Sequence, residues 1–489
     1  MTAVTVHRSS YIAGQWAEDG EPFDVENPAD ETRYTDVASA TPAEAGRAVA
    51  EARRSFDAGG WADRPAADRA RVLGEFLDHI EADGKALVDA MVAEAGQPAF
   101  FAEKTQLGAG LRLARDTIAL YLAMSHEEVN QVPVDQLVAN GVTLSVRRYE
   151  PVGVVAAITP YNAAFMMAMQ KVIPALMAGN SVVLRPSPLT PVSSLVLGAA
   201  ADAAGLPPGV LSVLVESGSA GAELLSTHPA VDMVSFTGST VVGRLIAAQA
   251  APTLKHVALE LGGKSAQIYL DDAVDRAARG AAMVVAMTAG QACVAATRML
   301  VPENRKDEVL ATVSAVYGGL KVGAPGDPAA MLGPVISAGQ RARCEQYVAA
   351  AVDRGGRVAF GGARPGEFDK GYYFQPTVLD VPGNDNPAAR DEIFGPVLSV
   401  IGYRDIDDAV AIANDSDYGL SGQVYGKDTA AAVAVARRLR TGAVNVNAGM
   451  FSAYAPSGGY KQSGLGRERG TEGIRAFQEV KHMTIGALA

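Results

Sequence analysis

Cysteine is nearly missing from this chain: among 489 residues only Cys293 and Cys344 carry a thiol. Two cysteines cannot build a disulfide framework, so the fold must rest on a packed core, and a reducing compartment would keep both thiols free. Histidine is scarce too, with six copies and no paired metal-ligand spacing, so no metal centre is expected. No segment supplies the ~20 uninterrupted apolar residues of a spanning helix. Met1–Trp16 lacks the apolar core of a secretion signal, and the chain reads as cytoplasmic. Low-complexity tracts and fixed-period repeats are also wanting, which argues against disorder. Positive charge is in deficit, with 42 Lys and Arg against 54 Asp and Glu, a net charge of −12. The basic residues are dispersed, so neither nucleic acid nor a membrane is an expected partner, and small-molecule chemistry becomes the default.

What remains is a globular composition, 48% hydrophobic and 20% charged. The length suits about two to four structural units. Between about Ala43 and Met124 apolar residues recur three and four apart, a helical pattern. Residues 128–150 then alternate apolar and polar positions around Asn140-Gly141, which predicts a projecting β-hairpin. From Pro151 short β-rich runs (VGVVAAITP, NSVVLRPS, GVLSVLVE, AVDMVSFTG) alternate with helices, the pattern of a doubly wound α/β domain. A second α/β block begins at HVALEL and KSAQIYL and runs to about Asn447. The closing VKHMTIGALA alternates again, as an edge strand completed by the 128–150 hairpin or by a neighbouring subunit would, so an oligomer is expected.

Cys293 lies in TAGQACVAATRML, on a predicted loop between a helix ending near Met287 and a strand. A loop held by rigid elements is a common seat for reactive groups. Taken alone the residue also reads as a small buried hydrophobe, and Cys344, inside the helical run QRARCEQYVAAAV, keeps that reading. Glu260 sits between two leucines at a strand end, before Gly262-Gly263. If it is desolvated beside a thiol, its pKa rises and it can take a proton from Cys293 or from water. Asn162, in ITPYNAAF, could donate its amide to a developing oxyanion, or serve as a turn residue. SFTGSTVVG, residues 235–243, is a strand running into a helix start that suits a pyrophosphate, without the G-x-G-x-x-G spacing.

Together these pieces resemble the aldehyde dehydrogenase superfamily, of the NAD(P)-dependent, non-acylating kind. The ordered set runs from YIAGQW and VENP through PVGVVAAITPYN, VVLRPSPLTP, FTGSTVVGR, LELGGKSA, GQACVAATR, DEIFGPV and NDSDYGLSGQV to PSGGYKQSGLGRERG. The resemblance implies an α/β fold with a Rossmann-type cofactor domain (1–127 and 151–258), an α/β catalytic domain (259–462) and a small β oligomerisation or bridging element (128–150 and 463–489). It implies Cys293 as the nucleophile that forms a thiohemiacetal, Asn162 and the Cys293 N–H as the oxyanion hole, and hydride transfer to nicotinamide leaving a thioester. Glu260 then activates water to release the acid, and Lys171 lies near the oxyanion and the cofactor ribose. Glu392 would hold the nicotinamide ribose, with Phe394 against the ring. Arg298 and Gly263 would shape the loops around the thiol. The implied cofactor path covers Ile158, Thr159, Pro160, Tyr161, Arg185, Ser187, Pro188, Gly218, Phe236, Thr237, Gly238, Ser239, Gly243, Leu261 and Gly262.

Two departures from the family pattern stand out. Arg185-Pro186-Ser187-Pro188 replaces Lys-Pro-Ser-Glu, removing the carboxylate that grips the adenosine ribose, so both NAD and NADP are expected to be accepted. Tyr161-Asn162-Ala163-Ala164 replaces Trp-Asn-Phe-Pro, followed by Phe165, Met166, Met167 and Met169. Ala163, Met167, Gln170, Val294, Phe451 and Tyr454 are expected near the aldehyde. A mouth without an evident Arg or Lys favours an uncharged aliphatic or aromatic aldehyde over a semialdehyde acid. Glu260 argues for water over CoA as the group that resolves the thioester. A cysteine hydrolase would need a partner histidine that no motif supplies. The expected assembly is a homodimer or homotetramer.

Overall fold

The computed structural model describes residues 7–134, 143–286, 288–447 and 452–486. Five parallel strands form the centre of the first sheet, in the spatial order Leu211–Val213, Ser181–Arg185, Val154–Ile158, Met233–Thr237, His256–Glu260. Two strands on each side of Val154–Ile158, the first of the five along the chain, make this the doubly wound order, with the topological switch between Val154–Ile158 and Met233–Thr237. The sequences VVAAI, SVVLR and MVSFT are buried throughout, because helices cover both faces of the sheet. Val155, Ala157, Val182 and Leu184 enter one core, while Val154, Ala156, Ile158 and Val183 enter another. That division is the two-residue alternation of a pleated strand.

His256–Glu260, expected to open the second block, instead completes the first sheet by pairing with Met233–Thr237. Its run of apolar residues suits either sheet, and hydrogen-bond partners far away in sequence decide between them. Gly464–Leu465 also joins this sheet, antiparallel to Leu259 and Glu260. The chain then crosses at Leu261–Ser265 into a second sheet, ordered Arg357–Phe360, Thr377–Asp380, Val397–Tyr403, Arg298–Pro302, Ala266–Tyr269, Ser421–Tyr425, Ala443–Val446. All its pairings are parallel except the first.

The helical stretch contains Pro42–Asp57, Ala66–Ala82, Gly84–Ala95 and Gly110–Ala123. Thr41 and Glu44 close a capping box at the first of these, satisfying two otherwise orphaned N–H groups. Gln478–Gly486 pairs antiparallel with Thr143–Pro151, which pairs with Glu127–Val134. The terminal strand thus joins the predicted hairpin, although the Asn140-Gly141 turn itself falls outside the described residues. No helix among the described residues is long and apolar enough to cross a membrane.

Candidate active site

The loop carrying Cys293 leaves the helix Ala277–Ala286 through three residues with positive φ: Thr288 at 46°, Ala289 at 51° and Gly290 at 74°. Two of these are not glycine, and such conformations persist only where surrounding contacts enforce them. Gln291 is the clamp. Its side-chain amide donates to Thr288 O (2.9 Å), its Oε1 accepts from Ile336 N (3.0 Å), and its backbone carbonyl accepts from Thr288 Oγ1 (3.0 Å). That same carbonyl accepts from Asn162 Nδ2 at 2.8 Å. Asn162 is held in turn through its own backbone carbonyl, which accepts from Gln97 and Gln106. The predicted oxyanion donor and the thiol loop are therefore joined directly.

Cys293 is partly exposed, whereas Cys344 is fully buried in the apolar core of the second sheet. Burial, then the neighbouring Glu392 and Glu260 charges, push the Cys293 thiol up to about 12, and Arg469 opposes them. Cys293 is consequently a protonated thiol at neutral pH, and a nucleophilic use of it would require a base. Glu260 ends the strand His256–Glu260 with its Oε1 buried and without a hydrogen-bond partner among the described residues. Burial, followed by repulsion from Glu468, raises its carboxyl to about 8, while Lys171 and Arg469 pull it down.

Lys171, expected beside the oxyanion and the cofactor ribose, is completely buried, with Nζ donating to Glu468 Oε1 (2.5 Å) and Ser235 Oγ (3.1 Å). Burying an ammonium without a counter-ion is prohibitive, so Glu468 determines where this lysine points. Arg298 has an architectural place: it is 2% exposed and donates to the carbonyls of Lys264, Ile412 and Ala413 and to Asn384. Gly263 N donates to Glu392 Oε1 at 2.9 Å.

At the switch point of the first sheet, Thr159 and Thr237 carry buried hydroxyls without hydrogen-bond partners among the described residues, beside the Ser239-capped helix Thr240–Ala250. Ser239 Oγ accepts from Val242 N. Val241, Val242 and Leu245 stand exposed on that helix. Unsatisfied hydroxyls, a helix N-terminus and an apolar shelf at the strand ends fit a dinucleotide. Phe394 lies edge-on to Tyr161 at 6.0 Å, with φ of 62°. Arg185, expected to be available to a 2′-phosphate, is engaged: it donates to Glu216 Oε1 at 2.8 Å and to the Gly218 carbonyl. Glu216 also accepts from Gly221 N and Ala222 N, so a carboxylate is present near this corner from another part of the chain.

Of the predicted substrate residues, Ala163 and Met167 pack with Leu113, Met166 and Ala453. Val294 lines a cavity of about 530 Å³. Tyr454 is 57% exposed, and Phe451 lies outside the described residues. Arg276, Arg279, Lys427 and Arg469 line that cavity, which among the described residues expected near the aldehyde is bordered by Val294 alone. Arg469 Nε and Nη2 both donate to Gln170 Oε1 at 3.1 Å. Sequence reasoning passed over Gln291, Glu216, Glu468 and Arg469. The quoted GLGRERG contained the last two, but their partners lie 297 and 299 residues away.

With this geometry in view, comparisons with known proteins converge. The aldehyde dehydrogenase family model matches residues 16–483. Geranial dehydrogenase of Castellaniella defragrans is 40% identical over 478 residues, covering 97% of this chain and 98% of the relative. A 3-succinoylsemialdehyde-pyridine dehydrogenase of Pseudomonas sp. is 38% identical over 480 residues, covering 97% and 98%. Among solved structures, a mutant of aldehyde dehydrogenase C from Pseudomonas syringae, complexed with NAD+ and octanal, superposes with a TM-score of 0.91 at 37% identity, covering 98% of this chain and 96% of that one. Betaine aldehyde dehydrogenase of Staphylococcus aureus with NAD+ gives 0.92 at 33%, covering 98% and 94%. The chain belongs to the aldehyde dehydrogenase family and is an oxidoreductase that oxidises aldehydes.

Proposed function

We propose that Cys293 is the nucleophile of this oxidation, that Asn162 and the Cys293 N–H hold the oxyanion, and that Glu260 is the base. The observation that carries this reading is the meeting of three groups at one loop. The Asn162 amide is bonded to Gln291 O two residues before the thiol, and the Glu260 carboxyl, whose Oε1 has no hydrogen-bond partner among the described residues, exerts its charge on that thiol. As sulfur attacks the carbonyl carbon, the C–S bond forms and the thiol proton passes to Glu260. The electron pair displaced onto oxygen is met by the two N–H donors. Glu260 passes that proton on to solvent and then takes a proton from the water that attacks the thioester carbon; the C–S bond breaks, the sulfur recovers that proton, and the acid leaves.

NAD or NADP, when bound, supplies the hydride acceptor. Thr159, Thr237 and the helix start at Ser239 would hold its phosphates and ribose, with Glu392 and Phe394 at the nicotinamide end. We read the first sheet as the cofactor unit, the second as the catalytic unit and the three-stranded sheet as a bridging element. Exposed apolar residues on that small sheet, Val129, Val480 and Ile485, support a homodimer or homotetramer. Two free cysteines suit the cytoplasm. The test is an aldehyde panel with NAD and with NADP, following reduced nicotinamide and acid product without added CoA. Wild type should produce both in equal amounts and Cys293→Ala neither. Turnover by Cys293→Ala, or a strict need for CoA, would sink the reading.

A further inference from the structure

The helix Ala164–Ala178 begins two residues after Asn162 and has no side-chain cap of its own. Its N-cap position is Ala163, at φ of −144° and ψ of 46°, whose methyl group can accept no hydrogen bond. The first N–H groups of a helix find no partner within it. Gln106, 60 residues before Met166, fills the gap: its Oε1 accepts from Met166 N at 3.3 Å while its Nε2 donates to Asn162 O at 3.2 Å. Those two partners leave the amide one orientation, oxygen toward the helix N–H and nitrogen toward the carbonyl. Gln97 Nε2 donates to the same carbonyl at 2.7 Å, so two side-chain amides converge on Asn162 O.

Both glutamines are buried, Gln106 at 1% exposure and Gln97 at 4%. Gln97 Oε1 has no hydrogen-bond partner among the described residues, a loss of stability that an apolar side chain would not incur. Gln106 stands in a π-helix, Ala102–Ala109, a rare wide turn that is frequent at functional sites. In this turn Ala102, Gln106 and the following Gly110 are buried while Glu103 and Lys104 are exposed. Gly110 lets the two helices approach closely: a Cβ there would stand 3.2 Å from Phe165 Cε1 and 3.6 Å from Met166 Cα. The π-helix thus brings an amide to the backbone of Asn162 across an otherwise apolar contact. Pinning that carbonyl fixes the peptide plane from which the Asn162 side chain springs. One N–H of Nδ2 is held by Gln291 O at 2.8 Å, so the second is the one set to meet a substrate oxygen.

We propose that Gln106, together with Gln97, is a positioning residue for aldehyde oxidation, setting the Asn162 amide where the oxyanion forms. The inference rests on the assignment of Asn162 to the oxyanion above and adds the residues that hold it in place. Its test uses the full-length enzyme with butanal and NAD. Gln106→Met, similar in volume and without donor or acceptor, should lower kcat and kcat/KM alike by about 10- to 100-fold, because the oxyanion contact is made only beyond the ground state. Alkylation of Cys293 by iodoacetamide, a displacement at carbon that creates no oxyanion, should keep its wild-type rate in the same variant. Gln97→Met provides the second arm, because it leaves the bond from Met166 N in place; it should show the same split between turnover and alkylation. A merely structural role would alter the alkylation rate along with turnover. Asn162→Ala is the reference, and wild-type turnover in it would overturn the oxyanion assignment and the inference with it. Loss of turnover in Asn162→Ala but in neither glutamine variant, or an altered alkylation rate in both glutamine variants, overturns the inference alone.

Discussion

Gly263 lies directly against the backbone of Cys293: a Cβ added at Gly263 would stand 2.6 Å from the Cys293 carbonyl oxygen. A backbone atom cannot yield as a side-chain tip can, so Gly263→Ala must push the thiol loop away. We expect a loss of about 1–3 kcal/mol in stability. The fall in kcat should be about 100-fold, since small displacements of reacting groups are costly. Denaturant melts and steady-state kinetics check both, and a fully active Gly263→Ala would refute the contact.

The pH dependence of acid release should follow Glu260. Its carboxyl is raised to about 8, chiefly by burial and then by Glu468, so the base form fills, and the hydrolytic rate climbs, as pH rises through about 8. Glu468→Gln removes a negative neighbour and leaves Lys171 as the nearby charge. The midpoint should therefore move to lower pH. Pre-steady-state acid release across pH, on samples verified as folded, provides the measurement, and an upward shift would contradict the arrangement.

Cys293 should alkylate slowly at neutral pH. With the thiol pushed up to about 12, the thiolate fraction grows about tenfold per pH unit over the alkaline range. The iodoacetamide rate in the enzyme without dinucleotide should rise accordingly from pH 7 to 10. A plateau near neutrality would mean the thiol is already ionised.

Glu260→Gln should lose both proton transfers proposed for Glu260, because its amide can take neither the Cys293 thiol proton nor that of the attacking water. Mass spectrometry of the variant mixed with aldehyde and NAD at neutral pH should show almost no acyl mass on the peptide containing Cys293, and no burst of reduced nicotinamide. A wild-type rate of acid release from this variant would move the base role elsewhere.

Cofactor choice should respond to Glu216. That carboxylate engages Arg185 and brings negative charge to the corner where a 2′-phosphate would sit. We expect turnover with both dinucleotides and a preference below about 1000-fold, roughly 4 kcal/mol. Glu216→Gln should raise the NADP-to-NAD ratio of kcat/KM about tenfold by releasing the guanidinium. An unchanged ratio would show that Arg185 does not face the phosphate.

The parts of the site visible in the sequence share a common feature: each is a short motif whose neighbours along the chain are also its neighbours in space. Gly262-Gly263 follow Glu260, and Gln291 precedes Cys293 by two residues, so strand-end and loop chemistry can be read locally. The residues whose surroundings could not be read from the sequence depend on distant partners. Lys171 gains its meaning from Glu468, Arg185 from Glu216 and Gln170 from Arg469. Sheet membership of His256–Glu260 failed for the same reason, since an apolar run does not record which strand it will pair with.

By itself, the order of residues determined which atoms could react: a thiol, a carboxyl and an amide on turns between strands and helices, in an α/β chain of known family pattern. Bond chemistry and local hydrogen bonding suffice for that. The tertiary structure alone decided the electrostatic setting, placing four cationic side chains around one cavity of an acidic protein and a buried ion pair beside Glu260. Coulomb energy depends on separation in space and on the surrounding dielectric, and only the folded arrangement supplies these.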